Sequence, residues 1–279
     1  MVIGSAARDE VIRLTEPLRP GAHLNGVEAD ARLGGGGANT AVALAAAGHE
    51  VILLAAVGRD AGGDALIAEL AAAGVNTISV ARVNRPTTRS LLLVDPAGER
   101  TVINVARCEE PAPPQRLLGL RADAVYVRDR RRDLGPLLAA RAADTLIVAH
   151  APPIEAGARP AHVVIASRTD LEPEILRAPQ ALGKRISNGL ARWTIITAGA
   201  LGASVYSERA TLTASALGVQ PVDTTGAGDA FAAGLLHALV QGRPMAEALA
   251  VAVRFGTEAT LWPTSGLPAA AVHRLLQEV

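Results

Sequence analysis

Short, nearly continuous aliphatic runs alternate with alanine-rich stretches along most of the chain. The runs are Val51-Ile-Leu-Leu54, Leu91-Leu-Leu-Val94, Leu146-Ile-Val148, Val163-Val-Ile165 and Thr194-Ile-Ile196. Strands of this kind are covered on both faces, as in a parallel sheet packed between helices. The strand at 51 is read as continuing to 57. The stretches 38–47, 64–73, 134–143, 227–240 and 245–261 predict helices, and Pro268 opens a last one that carries Leu275 and Leu276. Gly48 and Gly74 stand just past two of these helices, at the left-handed position where glycine is favoured. The alternation predicts βαβ units around a parallel sheet.

One region departs from this rhythm. Residues 88–94 and 101–105 flank Asp95-Pro-Ala-Gly98, a turn signal, and so predict an antiparallel hairpin. Residues 12–14 and 22–29 are candidate companion strands. A small sheet projecting from an α/β body would form a lid over a cleft. The chain reads as one domain over 1–279, with lid strands within about 10–32 and 87–107. It shows no internal repeat, low-complexity tract or interdomain linker.

Composition narrows the picture. Hydrophobic residues are 49% and aromatics 2%, so Ala, Val, Leu and Ile must build the core. The 27 basic and 27 acidic residues balance to a formal charge of +0, which argues against bulk nucleic-acid binding. Arg128, Arg130, Arg131 and Arg132 cluster, but Asp129 and Asp133 interleave and no aromatic accompanies them. The cluster reads as a solvated surface run. The one cysteine, Cys108, excludes an internal disulfide framework and a Cys-rich metal site. No apolar stretch reaches the ~18 residues of a membrane span. Arg8, Asp9 and Glu10 stand where a signal peptide would be apolar, so a cytoplasmic protein without membrane partners is expected.

Two glycine motifs carry the candidate chemistry. Gly34-Gly-Gly-Gly37 precedes Ala38-Asn39-Thr40-Ala41 and a helix. The glycines admit close approaches, and the helix start beyond them offers unpaired N–H groups. A ligand contact with Asn39 and a flexible turn capped by Asn39 both remain open. The G-x-G-x-x-G pattern fails at Thr40, and no P-loop occurs. The second motif, Asp223-Thr-Thr-Gly-Ala-Gly-Asp229, runs into an apolar helix. Gly226, Ala227 and Gly228 then lie at the helix start as an anion hole for a transferring phosphoryl group. Asp229 beside it suits a base toward an attacking hydroxyl. An ordinary Asp, with a pKa of about 3.9, is a weak base, but phosphoryl transfer depends mainly on positioning. A helix-capping carboxylate is the competing reading.

The two motifs together resemble the ribokinase-like (PfkB) family of carbohydrate kinases. Gly34–Asn39 through Val57-Gly58-Arg59-Asp60 and Gly62 match its first signature, and Asp223–Asp229 its second. Gly4-Ser5 with Asp9, and Thr197-Ala-Gly199 with Gly202, extend the likeness over most of the chain. The resemblance implies a doubly wound, mostly parallel α/β fold flanked by helices, with a small β lid. It implies phosphorylation of a hydroxyl on a sugar or sugar-like molecule by ATP with Mg2+. Asp229 would be the base, and Gly226, Ala227 and Gly228 the anion hole. Asp9, Gly35, Gly36 and Asn39 would meet the sugar. Thr197, Gly199, Gly202 and Thr225 would lie along the nucleotide. Asp223 and Thr225 would border a monovalent-cation (K+) site that many members possess. Dimerisation through lid sheets is a family habit.

Departures from the family pattern qualify these implications. The N-x-x-E element that organises magnesium is represented by Ser167-Arg-Thr-Asp170, with Asp170 reaching Mg2+ through water. Ala7 and Gly36 replace the Asn and Lys of the ribose-specific pattern, so ribose is not favoured. Basic lid residues bind the phosphate in members acting on phosphosugars. Among Arg89, Arg100 and Arg107, Arg89 is the best candidate, although an outward-facing arginine fits it equally. His150, at a strand end, and His237 read as structural. A nucleoside kinase is a second reading, weakened by the scarcity of aromatics to stack on a base. A catalytically weak sugar- or nucleotide-binding protein is a third, motivated by Ser167 and Asp170.

Overall fold

The computed structural model describes residues 1–29 and 31–277. In chain order the first strands are β1 (Val2–Gly4), β2 (Ala7–Leu14), β3 (Gly26–Glu28), β4 (Arg32–Gly34), β5 (Val51–Leu54), β6 (Ala56–Gly58), β7 (Val75–Asn76) and β8 (Ala81–Val83). They are followed by β9 (Arg89–Val94), β10 (Arg100–Ala106), β11 (Ala124–Arg128), β12 (Leu146–Ala151), β13 (Val163–Ser167), β14 (Trp193–Thr197), β15 (Ala203–Tyr206) and β16 (Thr211–Ala214). The helices are α1 (Gly36–Ala46), α2 (Ala61–Ala72), α3 (Gly135–Arg141), α4 (Pro173–Leu176), α5 (Pro179–Ile186), α6 (Ala227–Val240), α7 (Met245–Ala259) and α8 (Ala269–Gln277).

Nine strands form one sheet in the order β16-β15-β14-β13-β12-β11-β1-β5-β7. Pairing is parallel from β7 to β14, and β15 and β16 add an antiparallel edge. Successive side chains on each strand enter opposite layers, as the pleat requires. Val2, Leu53, Tyr126, Val148 and Val163 pack toward α1, α6 and α7. Their neighbours Ile3, Leu54, Val125, Ile147 and Val164 pack toward α3 and α5. Both faces are covered, which is why these strands are apolar along most of their length, with polar residues such as Arg128 and His150 near their carboxyl ends.

From β1 the chain builds outward to β5 and β7 on one side and to β11 and its successors on the other. The strand order therefore reverses between β1 and β11. Ligands of open α/β sheets bind beyond the carboxyl ends of the strands at such a switch point.

The expected hairpin is present: β9 and β10 pair antiparallel, with a bulge between Asn104 and Ala106. Its turn is closed by the Asp95 Oδ1, which accepts from the amides of Ala97 and Glu99 at 2.9 and 3.0 Å. β9 also runs parallel to β2, and β3 and β4 complete a five-stranded second sheet. Several expected boundaries shift: β2 already starts at Ala7 rather than 12, β3 covers only Gly26–Glu28 of the expected 22–29, and α2 starts at Ala61 rather than 64. The run 51–57 breaks at Ala55, and β6 leaves the main sheet to pair with β8. α1 begins at Gly36 rather than at 38, inside the glycine run. There Gly37 rests on the backbone of Gly4, which a Cβ would approach to 2.6 Å, so packing draws poor helix formers into the first turn.

His237 on α6 faces His49, with Nδ1 and Nε2 2.9 Å apart. Burial, then His49 and Arg243, lowers the His237 pKa from 6.5 to about 4. Below pH 6.5 the unfolded chain takes up this proton while the folded chain refuses it, so stability falls as the pH drops from 6.5 toward 4. Thermal unfolding followed across that window should show Tm declining less steeply in His237→Gln than in the natural protein. Parallel declines would remove this pair as a source of acid sensitivity.

Candidate active site

A cavity of about 510 Å³ lies between the two sheets at the switch point. Its floor comes from the strand ends Ile3-Gly4-Ser5, Leu54-Ala55-Ala56 and Arg128-Asp129-Arg130-Arg131, and its roof from β9 and β10. The roof follows the strand pleat. Thr88, Ser90 and Leu92, and opposite them Arg100, Val102 and Asn104, face the cavity. Arg107 follows the bulge and also lines it.

Two helices start at this cavity, and each is held there by glycine chemistry. Gly35 takes φ +90 before α1, where its Cβ would meet Ser5 O at 2.6 Å. Gly226 caps α6 at φ +74 with its Cβ position 1.8 Å from Ser265 O. A left-handed residue at this point turns the chain into the helix; Thr225, Gly226 and Asp229 line the cavity, while Ala227 and Gly228 do not. The amides of Gly226 and Gly228 donate to no acceptor among the described residues, and Ala227 N only reaches Thr224 O at 3.4 Å. Such a pair of unpaired amides on a helix start can receive an anion. The motif is braced by the lid turn, as Thr224 N donates to Gly98 O at 3.3 Å.

Asp229, in the first turn of α6, lies on the cavity wall and is 6% exposed. Asn39 Nδ2 donates to its Oδ2 at 3.0 Å, and Arg128 Nε donates to its Oδ1 at 3.1 Å. Thr40 Oγ1 reaches its backbone oxygen at 3.2 Å. The carboxylate is therefore held in one orientation by both helices and by the end of β11. Burial opposes the charge on Arg128, but Asp229 and Tyr126 outweigh it and raise its pKa. His150 lies behind, with Nδ1 3.5 Å from Arg128 Nη1. Burial, then Arg128 and Arg130, pushes its pKa well below the ordinary value, so the ring is neutral.

Asp9 lines the same cavity and accepts from Ser265 Oγ at 2.6 Å. Burial raises its pKa, while Ser265 and Arg32 act in the opposite direction. Gly35, Gly36, Asn39 and Thr225 complete the set that the structure brings to one cavity. A Cβ on Gly36 would lie 2.7 Å from Arg128 Cγ and 3.0 Å from Asp229 Oδ1. The space above Gly36 is thus taken by the Arg128 side chain.

Apart from Thr225, the nucleotide-side candidates Ser167, Asp170, Thr197, Gly199 and Gly202 do not line this cavity. Ser167 and Thr197 are register partners at the ends of β13 and β14. Gly199 and Gly202 close the following turn at φ +56 and +88. Ser167 Oγ is engaged with Thr169, and Asp170 is exposed. No group of three or more His, Cys, Asp or Glu able to hold a metal occurs among the described residues. Asp170 belongs to no such group, so a Mg2+ there would be held chiefly by substrate phosphates and water.

Two expectations about arginines are corrected. Arg89 does not face the cavity: it alternates with Thr88 and Ser90, and pairs outward with Glu10 at 3.4 Å. The 128–132 cluster is not a uniformly solvated run. Arg128 holds Asp229, and Arg131 is only 11% exposed, bound to Asp133 and to Glu110 O. Buried Arg159 donates to Asp129 O and so fastens this loop. Its position at a strand end on the switch point is the signal that could have picked out Arg128. Nothing in the sequence pattern marks Ser265 or Arg32.

Comparison with known proteins places this arrangement in context. The profile described as pfkB family carbohydrate kinase matches residues 1–127 and 137–268. The ribokinase of Bacillus subtilis is 27% identical over 270 residues, covering 91% of this chain and 89% of that protein. The ATP-dependent ribose-1-phosphate kinase of Halopiger xanaduensis is 30% identical over 215 residues, covering 73% of this chain and 72% of that one. Among solved structures, the ribokinase of Cryptococcus neoformans in complex with ADP superposes with a TM-score of 0.77 at 22% identity, over 100% of this chain and 98% of that one.

Proposed function

The chain belongs to the pfkB family of carbohydrate kinases and is a kinase of the ribokinase fold, and from this premise we propose that it phosphorylates a hydroxyl of a sugar that already bears an anionic group. The observation that carries the catalytic assignment is the Asp229 carboxylate, fixed on the wall of the cavity that also holds Asp9, Gly35 and Asn39. Asp9 and Asn39 orient the sugar, and Asp229 accepts the proton of the attacking hydroxyl. Arg128 keeps Asp229 aimed. The amides of Gly226 and Gly228 stabilise charge on the phosphoryl oxygens. ATP, bound with Mg2+, supplies the phosphoryl group. Asp170 would help to hold that Mg2+, which would neutralise charge on the phosphates, and Thr197, Gly199 and Gly202 would flank the nucleotide.

The anionic acceptor is argued from charge. Arg100, Arg107 and Arg130 line the cavity and form no ion pair among the described residues. Arginines facing a cleft without a carboxylate partner suit a phosphate or carboxylate on the ligand. A relative named as a ribose-1-phosphate kinase supports the same class. Neutral sugars, sugar phosphates, keto-deoxy acids and nucleosides should be compared in a coupled ADP-release assay. An anionic sugar is expected to give the highest kcat/KM. Arg107→Gln should raise KM for it by roughly 10-fold, the worth of one charge-assisted hydrogen bond, and leave neutral sugars unchanged. Preference for a nucleoside or neutral sugar, indifferent to Arg107, would contradict the acceptor class.

A further inference from the structure

Arg32, on lid strand β4, is the second arginine that the sequence pattern did not single out. Its guanidinium reaches the loop on which the anion hole stands. Nη2 donates to Asp223 Oδ2 at 2.7 Å, Nη1 to Pro263 O at 2.6 Å, and Nε to Ser265 Oγ at 2.7 Å. Three donors of one rigid fork thus meet a carboxylate, a carbonyl and a hydroxyl. The Arg32 side chain is 14% exposed and Asp223 is fully buried.

This is the place where the family likeness puts a monovalent cation, and the residues do not fit one. Such an ion needs several oxygens turned toward one point. The other Asp223 oxygen accepts from Thr225 N at 2.9 Å. Ser265 Oγ is spent between Arg32 and Asp9. Thr225 Oγ1 is left without a partner among the described residues, and a single hydroxyl cannot hold an ion by itself. A positive charge is already present, fixed covalently to the chain.

We propose that Arg32 is a tethered cation that takes over the role of a free monovalent ion and makes the anion-hole loop independent of one. The tether does more than neutralise Asp223. The Arg32 backbone pairs with Asp9 in the β2–β4 ladder. Its side chain then bridges Ser265, which holds the Asp9 carboxylate, and Asp223, which opens the 223–229 motif. The carbonyl of Ser265 is also the atom against which Gly226 packs. One side chain therefore ties the lid sheet, the sugar-side aspartate and the anion-hole loop into one unit, whatever salt is present.

The test uses the full chain in KCl, NaCl and tetramethylammonium chloride at equal ionic strength, reading Tm and ADP release. In the natural protein, Tm should agree across the three salts and turnover should change by less than about twofold. Arg32→Ala exposes the vacated carboxylate and carbonyl to solvent. Its Tm should fall by roughly 10 °C in tetramethylammonium and be raised selectively by K+ or Na+. Arg32→Lys keeps a charge but not the fork, and should show an intermediate loss. A saturable rise of Tm or turnover with K+ in the natural protein would overturn the proposal. So would an Arg32→Ala protein whose Tm responds to the three salts as the natural protein does. If Arg32→Ala does not fold, the natural protein and Arg32→Lys decide alone: a selective K+ response in the former, or unchanged stability in the latter, overturns it. The Tm readout does not depend on any acceptor, so it stands or falls separately from the proposed reaction.

Discussion

Asp229→Asn is expected to lower kcat by about 10²–10⁴-fold, the usual worth of a positioned general base, while leaving ATP affinity within about twofold. The substitution keeps volume and the contact with Asn39, whose Nδ2 lies 3.0 Å from Oδ2. It removes the group that accepts the hydroxyl proton. It also takes the negative charge from Arg128 Nε, 3.1 Å away, so some loss of stability is expected as well. Measuring Tm and nucleotide binding beside turnover separates these effects. A folded, ATP-binding variant with near-normal turnover would remove Asp229 from the role of base.

Gly226→Ala should be the most damaging single-methyl change at the site. At φ +74 any side chain costs about 1–2 kcal/mol. The added Cβ would also stand 1.8 Å from Ser265 O, and relieving such overpacking costs roughly another 1–3 kcal/mol. Gly242→Ala is the matched control: its φ is +76, but no atom lies within 4 Å of the added Cβ. Urea unfolding should therefore show Gly242→Ala losing only the backbone share, and Gly226→Ala losing clearly more. Displacing Ser265 also disturbs Asp9 and Arg32, so turnover should collapse in Gly226→Ala and persist in Gly242→Ala. Equal losses in the two would mean that the Ser265 contact is not the constraint.

The parts of this molecule written in local sequence were legible without coordinates. Continuous aliphatic runs gave away a sheet covered on both faces, because polar alternation is absent only when both sides are buried. Asp95-Pro-Ala-Gly98 declared its turn through side-chain chemistry that acts within four residues. The 223–229 motif declared a helix start with small residues and a carboxylate. The remainder depends on contacts between distant positions. Arg128 looked like part of a solvated run because its partner, Asp229, lies about a hundred residues away. Arg89 and Arg107 could not be sorted until the β9–β10 register and the bulge at Asn104 fixed which face each takes. Arg32 carries no local signal at all, since its three acceptors come from two separate loops. Even Gly36 reads as a missing lysine in one dimension and as room for the Arg128 side chain in three.

The central claim is that a hydroxyl bound beside Asp229 receives the phosphoryl group. It is tested most directly by incubating the protein with ATP labelled in its γ-phosphoryl group and a panel of neutral and anionic sugars, then following the label. The account predicts that the natural protein moves the label onto a sugar hydroxyl, and that Asp229→Asn, folded and binding ATP, does not. Label that stays in ATP or passes only to water with every acceptor, or that reaches the sugar equally well in Asp229→Asn, would contradict it.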